Sequence, residues 1–399
     1  MKTNRWTLGL AAVGLVSLPA ALMAEEKLNP LLTAVTPTSI SGSVSTSMEW
    51  APGTGNAFSS PRLYQQGKAD GFNLDVVSLT LDKPLDEGQW ASGYHVDLWL
   101  GPDANTFASQ STPSRADLAI KQAYVALRAP IGNGLDVKVG VFDSIIGYES
   151  HDSYKDPNYT RSYATSIEPH THTGVLASYQ FSSLVSASAG IADTTGPAIN
   201  ARANPPKAES FKTYMSSLAL TAPDGWGFVS GSTLYAGFVN GYNSGWTGTT
   251  LNLYGGVTLN TPVKGWRFGG SYDYAKRTRD AAPGGRHSPI SAWAITGYSS
   301  YQLTEKASVH LRGEFAQTDA NIFGTGDQLP DGDSKLLGVT ATLQYDLWKN
   351  VISRLEFIYD HEAGDNDMKN FGGTGDPALS DGGRVRNRYT IALNLIYRF

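Results

Sequence analysis

No cysteine occurs among the 399 residues, so a disulfide, a thiolate metal site and a thiol enzyme are all excluded. Charge is sparse: Asp, Glu, Lys and Arg make up 17% of the chain, against about 25% in soluble domains. With no basic block and a formal net charge of −5, the chain is not expected to bind nucleic acid. Beyond residue 24 no apolar run approaches the ~20 residues that a membrane-spanning helix needs. Histidines number seven, and neither a G-x-S-x-G nor an H-E-x-x-H arrangement is present, so the common hydrolase and zinc-protease signatures are missing.

What the chain does have is glycine (43 residues), an aromatic share of 11%, and two distinctive ends. At the N-terminus, Lys2 and Arg5 precede an almost unbroken apolar run from Leu8 to Leu22, and Ala24 stands before the acidic pair Glu25 and Glu26. That pattern predicts a secretory signal peptide over residues 1–24, although Leu22 occupies a position where a second small residue is usual. The run is short for an anchor and contains Pro19. Without it, 29 basic residues face 36 acidic ones, a balance of −7. An exported chain without spanning helices is either a secreted β-protein or an outer-membrane barrel.

The C-terminal stretch NRYTIALNLIYRF favours the barrel. Tyr389, Ile391, Leu393, Leu395, Tyr397 and Phe399 form an apolar row at period two, while Arg388, Thr390, Asn394 and Arg398 lie on the alternate row. Such a strand has one greasy and one polar face, which a closed membrane barrel uses outward and inward. It also resembles the C-terminal signature of bacterial outer-membrane proteins, whose final strand ends in Phe and is read by the barrel-assembly machinery.

Similar alternation predicts strands near 38–50, 72–83, 89–100, 117–129, 134–143, 172–182, 184–193, 212–222, 227–240, 249–261, 265–276, 290–302, 306–318, 335–347, 350–361 and 387–399. The count is sixteen to within two. Tight turns (86–88, 130–133, 183, 223–226, 262–265, 304–306 and 349–350) alternate with longer polar loops, the longest spanning 144–171. Short periplasmic turns and long external loops are the rhythm of an outer-membrane β-barrel. The expected fold is therefore all-β, a transmembrane antiparallel barrel over 38–399, with a periplasmic lead-in at 25–37.

A barrel of this size encloses water rather than packed side chains. Its inward rows carry His95 and Asp97, Lys138, Arg267 and Asp273, His310, Arg312 and Glu314, Arg354 and Glu356, and Arg388 and Arg398. Both signs are present, so no ion preference follows. In loop 144–171, Ile145 and Ile146 offer an apolar contact with the wall, and Glu149, Asp152, Lys155, Asp156, Arg161 and Glu168 could form a constriction field if the loop folds inward. The alternative is a loop folded outward as a lid. His170 and His172 would point the same way in an extended segment and are a weaker candidate for metal ligation.

The stretches VGVFDSIIGYES, DPNYTRSYA and EPHTHTGVLASY resemble segments of the OmpL-like family of outer-membrane β-barrel porins. Phe142, Asp143, Gly147, Tyr148, Glu149, Pro157, Tyr159, Arg161, Ser162, Tyr163, Pro169, Thr171, His172, Thr173 and Gly174 match that family's motifs. The opening NPLLTAVTPTSISGSVSTSMEWAPGTGN is similar to the family's start. Val141 departs from it, standing where the family often has Arg, so pore electrostatics do not transfer with the resemblance.

The resemblance implies a porin for passive diffusion of small hydrophilic solutes or ions, not an enzyme, with no cofactor or metal. Outer-membrane lipid, the permeating solute and the barrel-assembly machinery (through Phe399) are the expected partners. A homotrimer is usual for sixteen-stranded general porins, though no interface signature is visible. An outer-membrane barrel hydrolase and a surface adhesion barrel are the competing classes, and stepwise conductance discriminates against both.

Overall fold

The computed structural model describes residues 38–55, 60, 62–86, 88–111, 117–204, 211–244, 248–279, 290–319, 334–364, 371–373, 375, 378–379 and 383–399; the expected signal peptide and lead-in lie outside them. Sixteen strands follow one another: β1 Ser39–Trp50, β2 Gly71–Lys83, β3 Ser92–Leu100, β4 Leu118–Ala129, β5 Leu135–Asp143, β6 Thr171–Gln180, β7 Val185–Ala192 and β8 Thr213–Thr221. The second half adds β9 Thr233–Tyr242, β10 Gly248–Asn260, β11 Trp266–Arg279, β12 Ile290–Gln302, β13 Ala307–Thr318, β14 Ser334–Trp348, β15 Val351–Glu362 and β16 Asn387–Arg398. Each pairs antiparallel with its sequence neighbour, and β1 pairs with β16, so the sheet closes on itself. None of the described strands is left with an open edge, which is how a sheet survives in a membrane.

Period two decides which face each residue takes. Along β16, Tyr389, Ile391, Leu393, Leu395 and Tyr397 are exposed on the outside, while Arg388, Thr390, Ala392, Asn394 and Ile396 are buried within. The seam with β1 runs from Ser43 opposite Arg398 to Trp50 opposite Ile391. Beyond it, Gly42 and Phe399 exchange backbone hydrogen bonds of 3.0 Å in both directions. Glycine is required there, because a Cβ at residue 42 would run into the backbone carbonyl oxygen of Ser78 and also stand 2.6 Å from the Phe399 ring.

One boundary differs clearly from the sequence expectation. The ninth strand was expected over 227–240 and runs over Thr233–Tyr242. Trp226 and Phe228 mimic strand alternation, but Gly227–Val229 is a single 3-10 turn and Gly231 has φ +79°. The two aromatics are more than half exposed at the rim, where amphipathic rings belong in a spanning barrel.

Two bulges shape the inner wall. Between Ser45 and Thr46 the β1–β2 register shifts, leaving Asp75 as the extra residue; between Asp97 and Leu98 the β3–β4 register shifts, leaving Lys121. An inserted residue re-aims its side chain. Asp75 and Lys121 are both turned inward and are 1% and 0% exposed.

Candidate functional site

The described parts of three connections fold into the lumen and meet as one layer: residues 51–55, 60 and 62–70, residues 101–111 and 117 with the short helix α1 Pro102–Phe107, and residues 144–170. Apolar contacts seat them first. Ile145 and Ile146 pack with Phe142 against Leu176, Met215 and Val239 of the wall. Tyr163, Ala164 and Ile167 pack on Ala275, Ala292, Ala294 and Ala316, small inward residues of β11–β13 that leave room for the loop. Each buried isoleucine of this kind is worth about 1.5–3 kcal/mol. Tyr64, Trp99, Ala104 and Phe107 form a third cluster joining the first loop to α1.

Charge then fixes the register of the long loop. Glu356 on β15 accepts the backbone N–H groups of Tyr159 (2.7 Å) and Thr160 (3.0 Å), and Glu314 on β13 accepts that of Tyr163 (2.6 Å). Arg62, from the first loop, donates to Glu314 and Asp360 at 2.6 Å each and to the Arg161 carbonyl at 2.9 Å, with its guanidinium 4.4 Å from the Tyr163 ring centroid. Arg312 bridges Glu149 (3.0 Å) and Glu314 (3.1 Å). Asp75 accepts from Ser45, Ser47, Lys68 and the Tyr159 hydroxyl, all within 3.0 Å. Lys121 sits among Asp97, Asp143 and Asp152 at 3.1–3.4 Å.

The sequence-predicted residues thus fall into two groups. Glu149, Asp152, Asp156, Arg161, Arg312, Glu314, Arg354 and Glu356 are brought together in the layer and bond one another or the loop backbone. Lys155 pairs with Asp152 at 2.6 Å at the layer's margin, and Asp97 lies against Lys121. Glu168 closes the loop beside β11. Arg388 is buried near the outer end of β16 and donates to Thr390. His95, Lys138 and Arg267 lie apart, nearer the periplasmic turns. His95 bonds Asp82 at 2.9 Å and stacks on Tyr124, Lys138 lies 4.5 Å above the same ring, and Arg267 is exposed.

Burial tunes the loop groups. It pushes the Asp156 carboxyl up to about 7 and that of Asp103 up to about 6. Burial would raise Asp152 as well, but Lys121 and Lys155 overcome it and hold that carboxyl well below the usual range. Burial lowers His170 to about 4 and drives His151 down as well. The two histidines of the 170–172 pair part company: His170 stacks on Phe107, and His172 faces the Thr194 carbonyl.

Sequence reasoning missed Arg62, Lys68, Asp75, Lys121 and Asp360, the partners that complete the layer. A signal existed for two of them. In 71–83 the apolar phase slips from Phe72 and Leu74 to Val77, Leu79 and Leu81, and in 118–129 from Leu118 and Ile120 to Ala123, Val125 and Leu127. Each slip marks the bulge that carries Asp75 or Lys121.

A family model described as "Putative beta-barrel porin-2, OmpL-like" matches residues 37–399. Among solved structures, the outer membrane channel DcaP of Acinetobacter baumannii superposes with a TM-score of 0.58 at 10% identity, covering 91% of this chain and 97% of its own. The anion-selective porin from Comamonas acidovorans gives 0.56 at 12% identity, covering 91% and 99%. The trimer form of OmpT of Vibrio cholerae gives 0.55 at 12%, again covering 91% and 99%. At these identities the likeness is one of fold. No curated protein matches the sequence.

Proposed function

The chain belongs to the OmpL-like family of β-barrel porins of the bacterial outer membrane, and from that premise we propose that it passes small hydrophilic solutes by diffusion along a lumen narrowed by the loop layer. The observation that carries this reading is the docking of residues 144–170 on the inward carboxylates of β13 and β15. A loop held by backbone N–H bonds to the wall is a fixed constriction, and it sets a size limit for what passes. Glu149, Asp152, Lys155, Asp156, Arg161 and Glu168 shape that limit by holding the loop in place. Lys138 and Arg267 are the charges, and His95 a polar group, that a solute meets near the periplasmic side.

A non-enzymatic role accords with the histidines of the layer. His151 bonds the Tyr64 hydroxyl at 3.0 Å, His170 stacks on Phe107 and His172 faces a backbone carbonyl. Residues 1–24 would serve export and 25–37 would lead into the barrel, with Phe399 offered to the assembly machinery. A homotrimer is the proposed assembly, in keeping with the trimer form of the Vibrio OmpT structure. Purified folded protein in planar bilayers should give stepwise conductance; a silent bilayer would remove the pore reading in favour of a surface-binding barrel.

A further inference from the structure

Below the seat of Tyr163, Ala164 and Ile167, the inner wall changes character from β9 to β12. Strand register sets its inward residues in tiers. One tier runs Thr233, Thr258, Gly269 and Tyr298 across the four strands, and the next tier up runs Tyr235, Gly256, Ser271 and Thr296. Each tier holds one tyrosine, one glycine and two aliphatic hydroxyls, and neither holds a charge. Charge resumes at the margins. Arg312 and Glu314 continue the two tiers on β13, Asp273 stands one tier above and Arg267 one tier below.

Tyrosine rings cover this patch. Tyr148 comes down from the long loop and stacks on Tyr298, with ring centroids 4.3 Å apart and planes inclined by 13°. Its hydroxyl lies where a Cβ on Gly269 would stand, and the Tyr254 hydroxyl does the same at Gly256. The two glycines thus let these rings lie along the wall instead of standing out into the lumen. Tyr254 and Tyr298 are buried, whereas Tyr148 and Tyr235 stay partly exposed. An inward side chain of a closed barrel is exposed to the lumen, so these two rings, and the partly exposed Thr258 beside them, meet whatever permeates.

A small ion finds no countercharge on such a surface, and a wholly apolar solute would strip water from its hydroxyls. A solute with C–H groups on its face and hydroxyls around its rim suits both parts. Its face lies on the rings while its rim exchanges hydrogen bonds with the threonine and serine side chains. Conduction needs contacts weak enough to be left again, and uncharged contacts meet that need. We propose that the tyrosine patch of β9–β12 is a sliding surface for neutral saccharides, with Tyr148 and Tyr235 as the rings they touch. The assignment rests on the pore reading above and adds the class of solute.

The test records single channels of the folded protein in planar bilayers while sucrose is added to both sides, with a polyethylene glycol of equal hydrodynamic radius as the control. Sucrose should lower the conductance saturably and further than the glycol does. Tyr235→Ala and Tyr148→Ala should each raise the half-blocking concentration several-fold, whereas Tyr235→Phe, which keeps the ring, should hold it near the native value. Tyr235 belongs to the wall, so its variants carry the test should Tyr148→Ala loosen the loop. Equal falls for sucrose and glycol overturn the saccharide surface and leave the pore standing. Saturable block that neither alanine variant weakens overturns its location. A silent bilayer overturns the pore and the surface together.

Discussion

At mid-height of the lumen, Arg312 meets Glu149 and Glu314 within 3.1 Å, whereas nearer the periplasmic end Lys138 lies over the Tyr124 ring and has no ion-pair partner among the described residues. Arg398 is similar, resting 5.7 Å from the Tyr154 ring centroid with no ion-pair partner among the described residues. The contrast separates two uses of charge on one wall. Removed from water, an ion must be paired or it destabilises the fold, and pairing consumes its field. Charges that face water without a partner keep their field and act on whatever passes. The upper layer is therefore architecture, and the lower wall is where electrostatic selection would reside.

The largest effect expected on this contrast comes from removing the architecture. Deleting residues 149–164 should raise single-channel conductance by more than any point substitution, because the segment spans from the Lys121 cluster to Glu314. Unchanged current would place the constriction elsewhere.

Next is Arg62→Ala, which strips a shared cation from Glu314 and Asp360. Breaking a buried pair costs about 3–5 kcal/mol, and hydrogen exchange at the amides of residues 159–163 should show their opening free energy fall by that order. Protection equal to the native protein would mean the layer stands without the first loop.

Smaller effects come from titration, and two opposed signs make them readable. Asp156 is raised in the folded layer to about 7, so its contribution is complete below its ordinary value near 4 and is lost as pH rises through about 7. His170 is lowered to about 4, so its contribution is complete above about 6.5 and is lost as pH falls through about 4. Asp103 acts with Asp156, and His151 with His170. Asp156→Asn should leave a layer that loosens more steeply toward pH 4 than the native one, and His170→Phe a layer that loosens less, both read by limited proteolysis across residues 144–170. Identical pH profiles for the two variants would contradict the assignment.

The smallest effect belongs to the lower wall. Lys138→Glu should leave conductance nearly unchanged and move the reversal potential in a salt gradient by a few millivolts toward cations. No movement would mean that the lower wall does not select.

Strand number, turn rhythm and the lipid-facing rows were legible because period two is a local property of the chain. Ile145 and Ile146 were legible as wall contacts for the same local reason: apolar residues in a polar loop must be buried somewhere. Arg62 was not, because nothing within residues 51–70 announces that its partners lie on β13 and β15, some 250 and 300 positions away. Loop contacts of that span come from the closure of the barrel, and a periodic reading has no access to them. Glu314 and Glu356 were legible as inward groups, but their acceptance of loop backbone N–H groups was not.

The bulges at Asp75 and Lys121 bear on how such a wall can be edited. A substitution on an alternating strand exchanges one side chain for another on the same face, whereas a single inserted residue adds an inward group and leaves the lipid-facing rows on both sides intact. Deleting residue 75 or residue 121 should therefore restore uninterrupted alternation, keep the barrel, and remove one anchor of the lumenal layer. Length, changed one residue at a time, is thus an instrument for retuning this lumen that leaves the membrane-facing surface alone.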